Sequence, residues 1–205
     1  MADLETIKGE VVKMAFLTLK MWQTTFKTFM EHDLDLLAEV LKDEDRLNNY
    51  EKEINTGLIN LVKATNGQTK QSAVIYADVT GDLELIGDYC KDILERVQIK
   101  IEERLLFSDE AVKEYIALYN IVENELKKLV DAFSKDEVGV LKELSQGHKG
   151  VNNLVDDYRR RHTERVIEGV CSPMSCNMYI NMLDFTAEVY HHTKNIARNL
   201  AKIKS

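Results

Sequence analysis

Hydrophobic residues recur along this chain at intervals of three and four positions, the period of an amphipathic α-helix. In the first segment, which runs from Leu4 to about Met30, the repeated positions are Leu4, Ile7, Val11, Met14 and Met21. The 205 residues include one proline and nine glycines, so long helices can run without interruption. The pattern therefore predicts an all-α protein.

Capping and turn residues divide the pattern into six long helices. The five after the first are predicted at about 33–64, 68–106, 109–133, 135–169 and 174–202. Asn66-Gly67 marks the end of the second helix, and Ser108 marks the start of the fourth. Ser134 with Glu137 predicts a capping box for the fifth helix, and Ser172 before Pro173 predicts the start of the last.

A weak internal repeat pairs the first three helices with the last three. Leu47-Asn48-Asn49 aligns with Val151-Asn152-Asn153, and Asp92-Ile93-Leu94 aligns with Asn195-Ile196-Ala197, in both cases about 100 positions later. We therefore predict two tandem three-helix bundles, residues 1–108 and 109–205, joined near Phe107 to Asp109.

Charge and composition exclude several functions. The net charge of -8 argues against nucleic acid, which attracts basic surfaces. The most apolar stretch, Val11 to Trp22, contains two lysines and is too short to span a membrane. The amino terminus lacks the features of a secretory signal. An odd number of cysteines, Cys90, Cys171 and Cys176, fits a reducing cytoplasm, and Cys171 with Cys176 is only a weak zinc signal.

The most informative segment, residues 80–93, reads Thr-Gly-Asp-Leu-Glu-Leu-Ile-Gly-Asp-Tyr-Cys-Lys-Asp-Ile. Glu84 and Asp88 are four residues apart, so both carboxylates project from one helix face. Glycine in a helix interior costs about 1 kcal/mol relative to alanine. Gly81 and Gly87 therefore predict that a neighbouring helix or a metal site approaches the backbone closely.

The second helix has an apolar seam that becomes polar in its middle. Its positions are Leu37, Leu41, Glu44, Asn48, Glu51, Ile54, Leu58 and Leu61. Carboxylates are costly to bury unless they are paired or coordinated. The polar interruption of the apolar seam therefore needs a specific explanation.

These two segments together resemble the PhoU family of phosphate-regulatory proteins. Its signature Asp-Leu-Glu-Arg-Ile-Gly-Asp is matched from Asp82 to Asp88 except at Leu85, where the family has arginine. The resemblance implies tandem three-helix bundles. It also implies a metal site of Glu44, Asn48, Glu84 and Asp88, in which Asn48 replaces a family aspartate. Such oxygen ligands suit magnesium, calcium, manganese or iron. The alternative to a metal site is that these four residues lie on solvated helix faces or form hydrogen bonds between helices.

The second half departs further from the family. Ala187 and His191 occupy the places of one acidic pair, and His148 and Asn152 occupy those of the other. We therefore expect that this half has lost the all-carboxylate site. Its histidines, including His192, either bind a softer metal or form ordinary hydrogen bonds.

Residues His162 to Cys171 resemble the segment before the last helix in PhoU-like cytoplasmic domains of bacterial sodium/phosphate cotransporters. The resemblance implies a non-catalytic regulator of phosphate uptake at the inner face of the membrane. Its expected partner is a phosphate transporter, its transmembrane domain or a phosphate-sensing kinase, and a homodimer would be compatible.

Two other functions compete with this interpretation. A di-iron helical-bundle enzyme needs two Glu-x-x-His units, and Glu188 to His191 is one such unit without a second. A structural interaction module without metal would associate through exposed helix faces. Trp22, Phe26 and Phe29 lie at the spacing of such a face, although residues with this spacing more often belong to the core.

Overall fold

A computed structural model describes residues 3–147 and 150–203. These residues form seven α-helices and no strand, which confirms the all-α prediction. The helices are α1 (Leu4–Glu31), α2 (Leu34–Ala64), α3 (Gly67–Glu102), α4 (Asp109–Ser134), α5 (Val138–Gln146), α6 (Val151–Ile167) and α7 (Pro173–Leu200).

The predicted caps at the starts of α4 and α7 are confirmed. Ser108 accepts a hydrogen bond from the backbone N–H of Ala111, and Ser172 accepts one from the N–H of Ser175. These bonds satisfy amide groups that the first turn of a helix leaves without partners. The α3 helix ends at Glu102, earlier than the predicted Leu106.

The prediction of a single fifth helix is wrong, because two helices, α5 and α6, occupy that region. Gly147 and Gly150 both have positive φ, 69° and 108°, a conformation that a continuing right-handed helix does not contain. The predicted capping box is also wrong. Ser134 is still part of α4 and donates to the carbonyl of Asp131, while Glu137 makes no side-chain cap hydrogen bond.

The first three helices pack on one another, and α7 packs against α4, α5 and α6. The two groups are joined along α3 and α7 and again along α1 and α4. Their buried residues form one continuous hydrophobic core. The division into units 1–108 and 109–205 stays a prediction, since the core runs through both groups.

Aromatic stacking forms much of the contact between α1 and α4. The Tyr119 ring lies parallel to Trp22, with centroids 4.7 Å apart, and to Phe26, with centroids 3.8 Å apart. The Tyr119 hydroxyl donates to the Trp22 carbonyl at 3.0 Å, and Phe29 contacts Tyr115 edge-on. The aromatic residues of α1 therefore pack against the second half of the same chain.

None of the helices in the described part of the chain is long and apolar enough to cross a membrane.

Replacing Tyr119 tests how strongly α1 and α4 are coupled. We expect Tyr119→Ala to lower the free energy of unfolding by about 3–5 kcal/mol, because it removes a fully buried ring. Tyr119→Phe keeps the ring and should cost only about 1 kcal/mol through loss of one hydrogen bond. Urea denaturation followed by circular dichroism measures both effects.

Phe16→Ala is the matched control, since Phe16 lies on α1 and is 46% exposed. It should cost less than about 1 kcal/mol. An equal loss in Phe16→Ala and Tyr119→Ala would contradict the importance of the stacked ring.

Candidate functional site

The α2 and α3 helices approach each other closely at Gly87. A Cβ at this position would overlap Leu47 Cδ2, and Leu47 is itself only 1% exposed. Close approach by a neighbouring helix is therefore confirmed at Gly87. The prediction that a neighbouring helix approaches closely is wrong at Gly81, where a Cβ would meet no heavy atom within 4 Å.

This approach places the predicted acidic residues of the two helices side by side. Burial raises the pKa of Glu84, and the nearby carboxylates of Asp88, Glu51 and Glu44 raise it further. Like charges raise a carboxyl pKa only when they lie close enough to repel. Glu84 on α3 is thus within electrostatic reach of Asp88 on the same helix and of Glu44 and Glu51 on α2.

Glu44 is the member of this cluster with the most polar partners. Its Oε1 accepts a hydrogen bond from Asn48 Nδ2 at 3.0 Å and lies 3.6 Å from Lys91 Nζ. Asn48 therefore contacts the cluster through Glu44, and Lys91 offsets part of the negative charge of Glu44. Within the described residues, no Lys, Arg or His nitrogen lies within 4.0 Å of a carboxylate oxygen of Glu84 or Asp88.

The donor chemistry of this cluster fits a hard cation. Among residues 3–147 and 150–203, however, no three His, Cys, Asp or Glu side chains converge in a geometry that holds a metal ion. Magnesium commonly binds through one or two carboxylates and keeps several waters. The adjacent pair Glu84 and Asp88 suits that kind of hydrated ion better than an enclosed cluster of protein ligands.

Glu51 is a neighbour of the candidate site that the sequence-based assignment left out. It lies one heptad after Glu44 on the polar seam of α2, and its carboxylate helps to raise the pKa of Glu84. Asn55 Nδ2 donates to Glu51 Oε1 at 3.2 Å. The seven-residue spacing from Glu44 was the signal that could have identified it.

The corresponding region of the second half contains an ion pair. A polar cleft of 340 Å³ lies between α6 and α7, lined by Asn152, Val155, Asp156, Arg159, Asp184, Ala187, Glu188 and His191. Arg159 Nε donates to Asp184 Oδ1 at 2.9 Å, and Nη1 donates to Asp156 at 3.0 Å. A guanidinium thus stands among the carboxylates of this cleft. The predicted contribution of His148 lies outside the described residues.

His192 forms a polar contact between α7 and α3. Its Nδ1 lies 2.7 Å from Oδ1 of Asp82 on α3, and both side chains are largely buried. Asp82, from the signature segment, therefore binds across the α3–α7 contact and faces a different neighbour from Glu84 and Asp88.

The segment beginning at His162 is tied into a buried polar network. Arg165 Nη2 donates to Glu114 Oε2 at 2.7 Å, and the Tyr179 hydroxyl donates to the same oxygen at 3.2 Å. Burial lowers the pKa of His162 to about 4, so its ring is neutral at pH 7. These contacts fix the end of α6 against α4 and α7, which gives the segment a structural role.

Comparisons with known proteins agree with this architecture. Residues 11–97 match the family model for the PhoU domain. The chain is 33% identical over 97 residues to phosphate-specific transport system accessory protein PhoU homolog 1 of Thermotoga maritima. That alignment covers 45% of this chain and 41% of the relative, so it spans less than half of the relative's length. The PhoU homolog of Aquifex aeolicus is 24% identical over 173 residues, covering 81% of this chain and 75% of the relative.

Solved structures extend the likeness in fold to almost the whole chain. PhoU from Pseudomonas aeruginosa superposes with a TM-score of 0.88 at 20% identity, covering 96% of this chain and 94% of that one. The phosphate transport system regulatory protein PhoU from Streptococcus pneumoniae gives 0.86 at 13% identity, covering 98% and 94%. At these identities the superpositions establish the fold alone. Together with the matched segment they agree with the resemblance read from the sequence: residues 11–97 are similar to the PhoU domain, and almost the whole chain has the fold of the PhoU structures.

Proposed function

We propose that this protein is a non-catalytic regulator of phosphate uptake. The observation that carries the proposal is the PhoU domain at residues 11–97, which contains the crowded carboxylates of α2 and α3. The two curated relatives are named as accessory proteins of phosphate-specific transport systems. The long helices supply an extended surface for a protein partner, and regulation needs no reaction at that surface.

The acidic face of α2 and α3 is the proposed functional surface. Glu84 and Asp88 lack a basic partner among the described residues, so their charge is available to a cation or to a lysine or arginine of another protein. Cytoplasmic loops of membrane proteins carry an excess of such residues. The cation would be a divalent or iron-type ion held by Glu84 and Asp88, with Glu44, Asn48 and Glu51 beside them.

A membrane phosphate transporter is the proposed partner, which places the protein in the cytoplasm at the inner face of the membrane. The sequence from His162 to Cys171 favours a sodium/phosphate cotransporter and its transmembrane domain. The three free cysteines fit a reducing compartment. A phosphate-sensing kinase would meet the same acidic face, so identification of the bound partner distinguishes the two.

Deleting the part of the gene that encodes this chain, with any remaining coding sequence kept in frame, tests the proposed role in the native cell. We expect the rate of radiolabelled phosphate uptake to change by about twofold or more, because a regulator is lost while the transporter remains. The wild-type gene should restore the original rate, and Glu84→Ala with Asp88→Ala should not. Unchanged uptake in the deletion strain at both low and high phosphate would refute the proposal.

A photocrosslinking residue at Leu85, which is 39% exposed beside Glu84, identifies the partner. Capture of a phosphate transporter supports the proposed complex. Capture of a sensor kinase would show that the kinase is the partner instead. The same residue at Ile59, 55% exposed on α2, is the control for nonspecific capture.

Removing the acidic pair tests the proposed ion site. Protein purified without chelator or metal-binding tag should contain a near-stoichiometric divalent or iron-type ion by elemental analysis. Glu84→Ala with Asp88→Ala should lose that ion while keeping its helical circular dichroism, because both side chains are only partly buried and alanine favours the helix. Asp78→Ala with Glu95→Ala removes two exposed α3 carboxylates elsewhere and should keep the ion. Retention of the ion by the first variant would show that the ion binds elsewhere.

Neutralising Glu84 tests the repulsion within the cluster. Because its folded-state pKa is raised, the folded protein binds a proton more readily than the unfolded chain does. The associated stability is present at pH below the ordinary glutamate pKa and is lost as pH rises through the folded-state pKa. At pH 7 and without divalent ions, Glu84→Gln should therefore raise the unfolding free energy by about 0.5 kcal/mol or less, since solvent screens the cluster.

Thermal unfolding at pH 7 and again near pH 4 measures this effect. The advantage of Glu84→Gln should shrink at the lower pH, where the wild-type carboxyl is protonated. Glu95→Gln, at an exposed position of α3, is the control. A destabilised Glu84→Gln at pH 7 would mean that the glutamate charge is stabilised by its surroundings.

A further inference from the structure

Lys100, in the last turn of α3, is a buried cation without an acidic partner. The residue is 7% exposed, and no carboxylate oxygen of the described residues lies within 4.0 Å of its Nζ. Its polar neighbour is His32 Nε2 at 2.7 Å. Burial of an ammonium is costly unless an opposite charge or strong acceptors compensate it, so this placement needs an explanation.

Aromatic rings surround the ammonium group. Lys100 Nζ lies 5.8 Å from the centroid of the Phe29 ring and 5.7 Å from that of Phe107. Burial lowers the pKa of Lys100, and burial followed by the nearby lysine charge lowers the pKa of His32. The rings and a neutral imidazole stabilise the cation in part, but they supply no negative charge.

Lys100 also lines a pocket of 220 Å³ at the end of the bundle where α1 and α3 finish and α4 begins. Its other walls include His32, Met30, Leu106, Phe107 and Val112. Met30 is 47% exposed and Leu106 is 82% exposed, so the mouth of the pocket is apolar and open to solvent. A single cationic group therefore stands in an otherwise apolar pocket beside one imidazole.

We propose that this pocket binds a small amphipathic monocarboxylate, whose carboxylate pairs with Lys100 Nζ and whose apolar body packs against Met30, Leu106 and Phe107. Cavities of about 150 Å³ accept a benzene molecule, so 220 Å³ suits one aromatic ring or a short alkyl chain. One cationic side chain matches one carboxylate, and the apolar walls match a body that prefers to leave water.

The charges near the pocket disfavour multivalent anions such as phosphate. The helix ends that form it also carry exposed carboxylates at Glu31, Glu103 and Asp109, against one exposed guanidinium at Arg104. A second negative charge on the ligand would meet surroundings in which these exposed carboxylates outnumber the exposed cations Arg104 and Lys113. The site is therefore separate from the acidic face of α2 and α3 in place and in ligand charge, and it does not rest on the proposed regulatory function.

Isothermal titration of the full chain with phenylacetate tests the proposal, with phenylacetamide as the neutral isostere and inorganic phosphate as the multivalent anion. Phenylacetate should bind at least about tenfold more tightly than either. Lys100→Met keeps the aliphatic stem but removes the charge, and it should weaken phenylacetate binding by about tenfold or more. Lys113→Met, on the exposed side of α4 near the same end, should leave binding unchanged.

Equal affinity for phenylacetate and phenylacetamide, or undiminished binding to Lys100→Met, would overturn the proposal. Methyl-labelled methionine provides a test in wild-type protein that does not depend on the folding of the variant. Phenylacetate should shift the Met30 methyl resonance and leave that of Met182, which is fully buried on α7, in place. A titration that leaves Met30 unmoved while heat is released would place the binding elsewhere and likewise refute the assignment.

Discussion

The contact between Gly87 and Leu47 sets the distance between α2 and α3, and the acidic cluster depends on that distance. Gly87 stands directly before Asp88, while Leu47 lies between Glu44 and Asn48 on the opposing helix. Because no side chain projects from Gly87, the two backbones come close and the flanking polar residues are brought within electrostatic reach. The same contact thus buries Leu47 in the core and crowds carboxylates at its edge.

Crowding of this kind has a cost that the local structure offsets only in part. Lys91 and Asn48 both contact Glu44, whereas the pKa of Glu84 is raised first by burial and then by the neighbouring carboxylates. Charged residues that lower stability are commonly retained where a ligand or partner supplies the missing charge. This is the physical reason for assigning function to this face and not to the better compensated ion pairs elsewhere.

Much of the fold was predictable from the sequence because helices and caps depend on residues close together in the chain. The caps at Ser108 and Ser172 and the close approach at Gly87 followed from local pattern. The break between α5 and α6 has no proline and no side-chain cap, so it depends on the positive φ of Gly147 and Gly150, which the helical spacing of the apolar residues does not reveal. Pairs such as Lys100 with His32, or His192 with Asp82, join residues far apart in sequence, so no spacing rule could reveal them.

The two groups of helices differ in how their partly buried carboxylates are compensated. In the second half Arg159 lies among Asp156, Asp184 and Glu188, so its cleft carries its own countercharge. In the first half Glu84 and Asp88 have no such cation among the described residues. A basic partner or a cation would therefore gain more electrostatic energy at α2 and α3 than at α6 and α7. Because one hydrophobic core joins the halves, this difference gives the molecule a fixed polarity, which would orient it when it meets a positively charged surface.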